Sequence, residues 1–252
     1  MLKHERQAME LELIKKNQVM SVRSLEDALG VSGMTIRRDL EELTAGNLIK
    51  RIYGGVTSID FDISQSSSFK DNQMLHFDEK SAIAAKAAST IEPGDFIYLG
   101  PGTTNELIVD YLPTTDIQVV TSNIAAFNKM TTMPNSPTLI LVGGLYDAKS
   151  DSVNGNLAER MLQPMQFDKS FISVRGIDQL SLTTFNSNAA ELQGLALSNS
   201  RERYIISDLF KMGQRAFFEF YQMKPDDHLI TNSQLDEHFI DFYSKNVKLI
   251  LA

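Results

Sequence analysis

Val31-Ser32-Gly33-Met34-Thr35-Ile36-Arg37-Arg38-Asp39-Leu40-Glu41-Glu42-Leu43 is the stretch that organises the N-terminal part of this chain. Ser32 is a good N-cap, and Val31 and Ile36 sit where a hydrophobic staple places its two residues. Thr35 stands where a complete capping box would have Glu or Gln. At about 100° per residue, Ile36, Leu40 and Leu43 share one side of the predicted helix and pack inward. Met34 and Arg38 point away from them, flanked by Thr35 and Arg37, while Glu41 and Glu42 lie outward one or two turns later. Upstream, Val22, Leu25, Ala28 and Leu29 also fall at helical spacing, and Gly30-Val31-Ser32 breaks the pattern. Helix, three-residue turn and helix form a helix-turn-helix.

The charge order along the second helix has a physical consequence. Its first half carries cations and hydrogen-bonding groups, where the helix dipole also favours phosphate. Its second half carries an acidic pair that backbone phosphates would repel. The N-terminal half is therefore the part expected to enter a major groove. Gly46-Asn47 ends the helix, and Leu48-Ile49-Lys50-Arg51-Ile52-Tyr53-Gly54-Gly55 reads as the strand of a wing. Lys50 and Arg51 on that wing are expected to meet backbone phosphate. The competing reading, a helical hairpin serving only as a packing or protein-interaction module, is disfavoured by the outward pair Arg37 and Arg38.

The whole chain has 252 residues and a formal charge of −8, so it is not a uniformly basic nucleic-acid coat. Residues 1–57 hold nine Lys/Arg against eight Asp/Glu, whereas the remainder holds 15 against 24. A near-neutral segment joined to an acidic body predicts two domains with different partners. Residues 58–77, rich in serine, are expected to link a domain at 1–57 to one at 78–252. There is no cysteine, which excludes disulfides, thiolate metal sites and cysteine nucleophiles. No apolar run reaches the length of a bilayer span, and the charged N-terminus lacks an apolar secretory segment. A cytoplasmic protein without membrane association is the expectation.

After residue 78 the pattern alternates between β-rich runs and helical stretches. Strands are predicted at 96–99, 117–121, 138–142, 170–174, 204–207, 229–231 and 247–251. Helices are predicted at 104–111, 124–130, 157–162, 189–198 and 235–244, with a further helix capped by Asp78. That alternation predicts an α/β domain with a mostly parallel sheet and flanking helices.

Gly100-Pro101-Gly102-Thr103-Thr104 joins the first of these strands to a helix. Glycines let backbone N–H groups turn towards an anion, and threonine hydroxyls add donors, so this turn is a candidate oxyanion cradle. It is neither a Walker loop nor a complete dinucleotide fingerprint. Asn123, the Gly143-Gly144 pair, Arg175 and Lys211 all follow strands, and ligands gather at the carboxyl ends of strands in open α/β sheets.

These motifs identify a family resemblance. Thr35-Ile36-Arg37-Arg38-Asp39-Leu40, leading into a wing with Gly54-Gly55, resembles the winged helix-turn-helix of the DeoR family of bacterial regulators. The resemblance implies that Thr35, Arg37 and Arg38 contact DNA, with Ser32 and Met34 nearby. It extends over nearly the whole chain. The implied second domain has a fold like that of sugar-phosphate isomerases, and its Gly-Thr-Thr loop holds phosphate. Gly100-Pro101-Gly102-Thr103-Thr104 and Leu195-Ala196-Leu197-Ser198-Asn199-Ser200 are most similar to the branch that represses lactose phosphotransferase systems in Gram-positive bacteria. By that likeness Gly100, Gly102, Thr103, Thr104, Asn123, Gly143, Gly144, Arg175 and Lys211 become effector contacts. The implied effector is a phosphorylated sugar such as tagatose 6-phosphate, and the implied assembly on double-stranded operator DNA is a homo-oligomer, dimer or tetramer.

Other chemistry finds little support. His4, His76, His228 and His238 share no metal-ligand spacing, and no nucleophile elbow surrounds any serine. No catalytic residue, metal or cofactor is expected. A working sugar-phosphate isomerase with an accessory DNA module is the alternative, but it needs a placed base near the sugar carbonyl, and the sequence marks none.

Overall fold

Two serines start the helices of the N-terminal unit in the computed structural model, which describes residues 3–17, 19–46, 48–52, 55–58, 69, 73, 76–113 and 116–252. Ser21 caps α2 (Val22–Leu29), accepting from the Ser24 amide at 3.0 Å, and Gly30 ends that helix at φ 67°. Ser32 caps α3 (Gly33–Ala45), accepting from the Thr35 amide at 3.4 Å. A longer helix, α1 (Lys3–Asn17), precedes them and has no counterpart in the sequence reading. Leu25, Ile36, Leu40 and Leu43 are buried with Ile14 of α1, each aliphatic side chain contributing roughly 1.5–3 kcal/mol.

The wing is a three-stranded antiparallel sheet in the order β1 (Val19–Met20), β3 (Gly55–Ser58), β2 (Ile49–Ile52). The stretch read as one wing strand, 48–55, is divided: β2 ends at Ile52 and Gly55 opens β3. A Cβ there would lie 2.3 Å from the Met20 carbonyl oxygen, so only glycine lets β1 approach. Strand β3 also carries ordered structure to Ser58, one residue into the segment expected to be linker. The rest of that segment, 59–77, is described only at 69, 73, 76 and 77, and Asn47, Tyr53 and Gly54 also lie outside the described residues.

The chain divides into two compact units, Met1–Ser67 and Ser68–Ala252. The second is built on a seven-stranded parallel sheet ordered β15-β14-β12-β9-β4-β5-β6. From edge to edge its strands are Lys248–Leu251, His228–Thr231, Ser200–Ile206, Phe167–Ser173, Phe96–Leu99, Gln118–Thr121 and Thr138–Leu141. Each of the seven predicted strands overlaps one of them. Strands β4 and β9 at the centre are largely buried on both faces, the pattern of a sheet covered on each side. Helices α4 (Phe77–Ala88), α5 (Thr103–Ile108), α6 (Ile124–Thr131), α7 (Asn156–Leu162), α8 (Ser187–Ser198) and α9 (Glu237–Asn246) lie between the strands.

Two antiparallel additions escaped the sequence reading. One is the hairpin of β7 (Leu145–Asp147) with β8 (Ser152–Asn154); the other is a three-stranded sheet of β10 (Gly176–Asp178), β11 (Ser181–Thr184) and β13 (Phe218–Gln222). The start of α4 also differs from expectation. His76, in the left-handed region at φ 54°, occupies the N-cap position, and Asp78 falls in the first turn beside Glu79. An acid there still complements the helix dipole, which explains its presence without a capping bond.

Candidate functional site

In the N-terminal unit, α3 sorts its charges by direction. Met34 is 82% exposed, Arg37 and Arg38 are exposed, and Thr35 is half-buried with its hydroxyl 3.0 Å from that of Ser32. The acids are drawn elsewhere. Asp39 is buried and receives Arg6 Nε at 2.5 Å, while Glu42 receives Lys3 Nζ at 2.7 Å and Gln7 Nε2 at 3.0 Å. Hydrogen bonds from Lys3 and Gln7 hold the Glu42 carboxyl below its usual range. Helix α1 thus compensates two of the three acids of α3 and leaves the arginines at its N-terminal half facing outward. Lys50 and Arg51 are exposed on β2. Arg51 is tied back to α3, donating to the Arg37 carbonyl at 3.2 Å and pairing with Glu41 at 3.6 Å. The pair with Glu41 is exposed and of little intrinsic strength.

In the second unit, the sequence-selected glycines and threonines follow β4, β5 and β6 at their carboxyl ends. Gly100 spends its amide on the Phe171 carbonyl at 2.9 Å, and its own carbonyl accepts from Asn105 Nδ2 at 3.1 Å. Gly102, at φ 123°, packs against the end of β9, where a Cβ would lie 3.0 Å from that of Ser173. Thr103 is half-buried and Thr104 buried. Asn123 is wholly buried and works on the protein itself: Oδ1 accepts from the Ala126 amide at 3.1 Å, and Nδ2 donates to the Gly102 carbonyl at 3.0 Å. Gly143 is exposed with open space around it, whereas a Cβ on Gly144 would strike the Asn154 carbonyl oxygen at 2.6 Å.

A second group forms at the ends of β9 and β12. Arg175 and Lys211 are both half-buried, and burial pushes the pKa of each down, opposed by the Asp208 carboxylate. Arg175 also faces Asp147, and its charge further lowers that of Lys211. Asp208 is buried, 3.7 Å from Lys211 Nζ, and caps the 3-10 turn Leu209–Lys211 through the Phe210 amide at 3.2 Å. Asn232 ties this turn to α4: Oδ1 accepts from the Leu209 amide and Nδ2 donates to the Glu79 carbonyl, each at 3.1 Å.

The residues that sequence reasoning passed over are Lys80, Asp208 and Asn232. For Lys80 a signal was present, since it stands at i, i+3, i+4 and i+7 with Ile83, Ala84 and Ala87, the buried face of α4. Among the described residues, no three His, Asp or Glu side chains are grouped to hold a metal, and no helix is long and apolar enough to cross a membrane.

Comparison with known proteins agrees on both units. Residues 6–61 match the DeoR-like helix-turn-helix domain, and residues 75–233 match the DeoR C terminal sensor domain. The chain is 34% identical over 238 residues to the lactose phosphotransferase system repressor of Streptococcus mutans serotype c, covering 94% of this chain and 95% of that one. It is 30% identical over 247 residues to the protein of the same name from Lactococcus lactis subsp. lactis, covering 96% of each. Among solved structures, ribose 5-phosphate isomerase A from Methanocaldococcus jannaschii aligns with a TM-score of 0.40 and 16% identity over 54% of each chain.

Proposed function

This chain belongs to the DeoR family, and on that premise we propose that it is a DNA-binding repressor of a sugar-utilisation operon, released from its operator by a phosphorylated sugar. The observation that carries the reading is the charge sorting on α3. Asp39 and Glu42 are held by α1 while Arg37 and Arg38 face outward at the end of the helix that begins at Ser32. Ser32, Met34, Thr35, Arg37 and Arg38 then read the major groove, and Lys50 and Arg51 meet the flanking backbone. A homo-oligomer, dimer or tetramer, sets two readers on paired half-sites.

In the second unit the turn Gly100–Thr104, the glycines at 143 and 144, and Arg175 with Lys211 serve the effector, with Asn123 holding the turn in place. The names of the relatives, lactose phosphotransferase system repressors, support a link to lactose utilisation, and we take the effector to be a phosphorylated sugar such as tagatose 6-phosphate. They also favour a regulator over an isomerase, and we place it in the cytoplasm. Ligand control requires the sugar phosphate to prefer the conformation that binds operator poorly, with a coupling of about 1–3 kcal/mol.

The test is gel-shift titration of operator with and without a panel of sugar phosphates, on wild type and on the double variant Thr103→Val, Thr104→Val. Wild type is expected to bind and to be released; the variant is expected to bind and to resist release. Normal release of the variant would dismiss the cradle. Turnover of pentose or hexose phosphates by the purified protein would overturn the regulator reading itself.

A further inference from the structure

Met34 is 82% exposed, more than any other large apolar side chain among the described residues. Single exposed apolar residues are ordinary on a protein surface, so exposure alone decides nothing. Its position does. Ser32 fixes the start of α3 by accepting from the Thr35 amide, and Gly33 is buried where a Cβ would lie 2.3 Å from Glu26 Oε1 of α2. With Gly33 against α2 and Ile36 and Leu40 in the core, the helical repeat turns Met34 outward in the first turn. Side chains on a helix lean back towards its N-terminus. The thioether therefore stands at the leading tip of α3, ahead of Arg37 and Arg38.

The neighbours of Met34 say what kind of surface it can meet. Arg37 and Arg38, three and four residues on, are both exposed, and so is Ser32 before it. Thr35 is half-buried, its hydroxyl 3.0 Å from that of Ser32. Along α3 Met34 is the one large apolar side chain that faces solvent. A hydrophobic protein partner covering it would have to desolvate both guanidiniums as well, a cost that one apolar side chain does not offset. Duplex DNA suits both kinds of group. Its phosphates and guanine edges take the cations, and the C5 methyl of thymine is the apolar group of the major groove.

We propose that Met34 packs on the C5 methyl of a thymine in the operator, and so gives α3 its preference for a T·A pair where the tip of the helix enters the groove. The inference rests on the DNA-binding reading above and names the base chemistry that one of the groove-facing residues selects. Methionine suits such a contact. It is unbranched, with three rotatable bonds and a polarizable sulfur, so it settles on a methyl group without the fixed geometry that a hydrogen bond demands. The contact is apolar, and its worth does not vary with ionic strength as that of a phosphate contact does.

The experiment uses the full-length chain and two variants, Met34→Ala and Met34→Gln, both at an exposed position that leaves the core intact. Duplexes enriched by wild type from a random-sequence pool serve as probes. Each thymine is then replaced singly by deoxyuridine, which removes the C5 methyl and leaves the hydrogen-bonding edge in place. Affinities are measured at two salt concentrations. At one thymine position the replacement is expected to weaken wild type about fourfold, the worth of one methyl group removed from water. That ratio is expected to hold at both salt concentrations while the affinities themselves fall. Both variants are expected to bind the thymine and deoxyuridine duplexes alike, and Met34→Gln decides the matter alone if Met34→Ala binds too weakly to measure. The proposal is overturned if no thymine replacement weakens wild type, if the ratio collapses at the higher salt, or if the variants lose as much as wild type does. The last result would assign the methyl to another side chain, such as Thr35. Each of these leaves the DNA-binding reading intact, because the probes still bind. Failure of wild type to enrich any duplex would remove that reading and the thymine contact together.

Discussion

Arg6 Nε lies 2.5 Å from Asp39 Oδ2, joining α1 to the middle of α3 through side chains that are 14% and 2% exposed. Asp39 directly follows the outward pair Arg37-Arg38 in sequence, yet it points the opposite way. The pair gives α3 its rotational setting, because turning the helix to expose Asp39 would strand Arg6 without its acceptor.

Replacing Asp39 with Asn should therefore loosen the reader before it alters any DNA contact. Amide exchange along α3 is expected to accelerate about tenfold or more, the loss of one charge-assisted bond. Operator affinity should fall with it. Unchanged protection would mean that apolar packing alone sets the helix.

Glu10 makes the same unit sensitive to pH. Its carboxyl is wholly buried beside Asp39, and burial together with the nearby Asp39 charge raises its pKa to about 7. A carboxyl raised in the folded state holds its proton better there than in the unfolded chain. Its contribution to stability is therefore fully present below pH 4.5 and is lost as pH rises towards and through 7. Protection factors in α1 and α3 should decline between pH 5.5 and pH 8, and Glu10→Gln should flatten that decline. An equally steep decline in the variant would assign the effect to another group.

Arg38 supplies the electrostatic test of docking. Arg38→Ala should weaken operator binding and reduce the slope of log K against log salt by about 0.9, the share of one phosphate neutralised. An unchanged slope would place this side chain away from the DNA backbone. A normal slope with relaxed sequence preference would instead assign it to a base edge.

Much of the architecture was legible because local pattern and global role coincide. Each of the seven parallel strands carries a short apolar run, and Ser32, Ile36, Leu40 and Leu43 fall at the spacing that a capped, one-sided helix demands. The misses share a cause. Helix α1 buries few of its residues, among them Glu10 and Ile14, so its apolar periodicity is faint. Strands β7, β8 and β10 are three residues long and are defined by pairing, which a linear pattern does not carry. At the candidate site, glycine and threonine spacing pointed to the turn at Gly100–Thr104. The setting of Lys80 depends on Asn232 and on the 208–211 turn, more than a hundred residues away in sequence, and a lysine beside a glutamate reads as an ordinary wet surface.

Asn123 grips the Gly102 carbonyl with one end of its amide and starts a helix with the other, while Asn105 fastens the carbonyls of Gly100 and Phe171. The Gly100–Thr104 segment is thus stiffened by its neighbours before any guest arrives. A preorganised receptor forfeits little conformational entropy on occupancy. More of the intrinsic attraction for a ligand then remains to drive rearrangement elsewhere in the molecule.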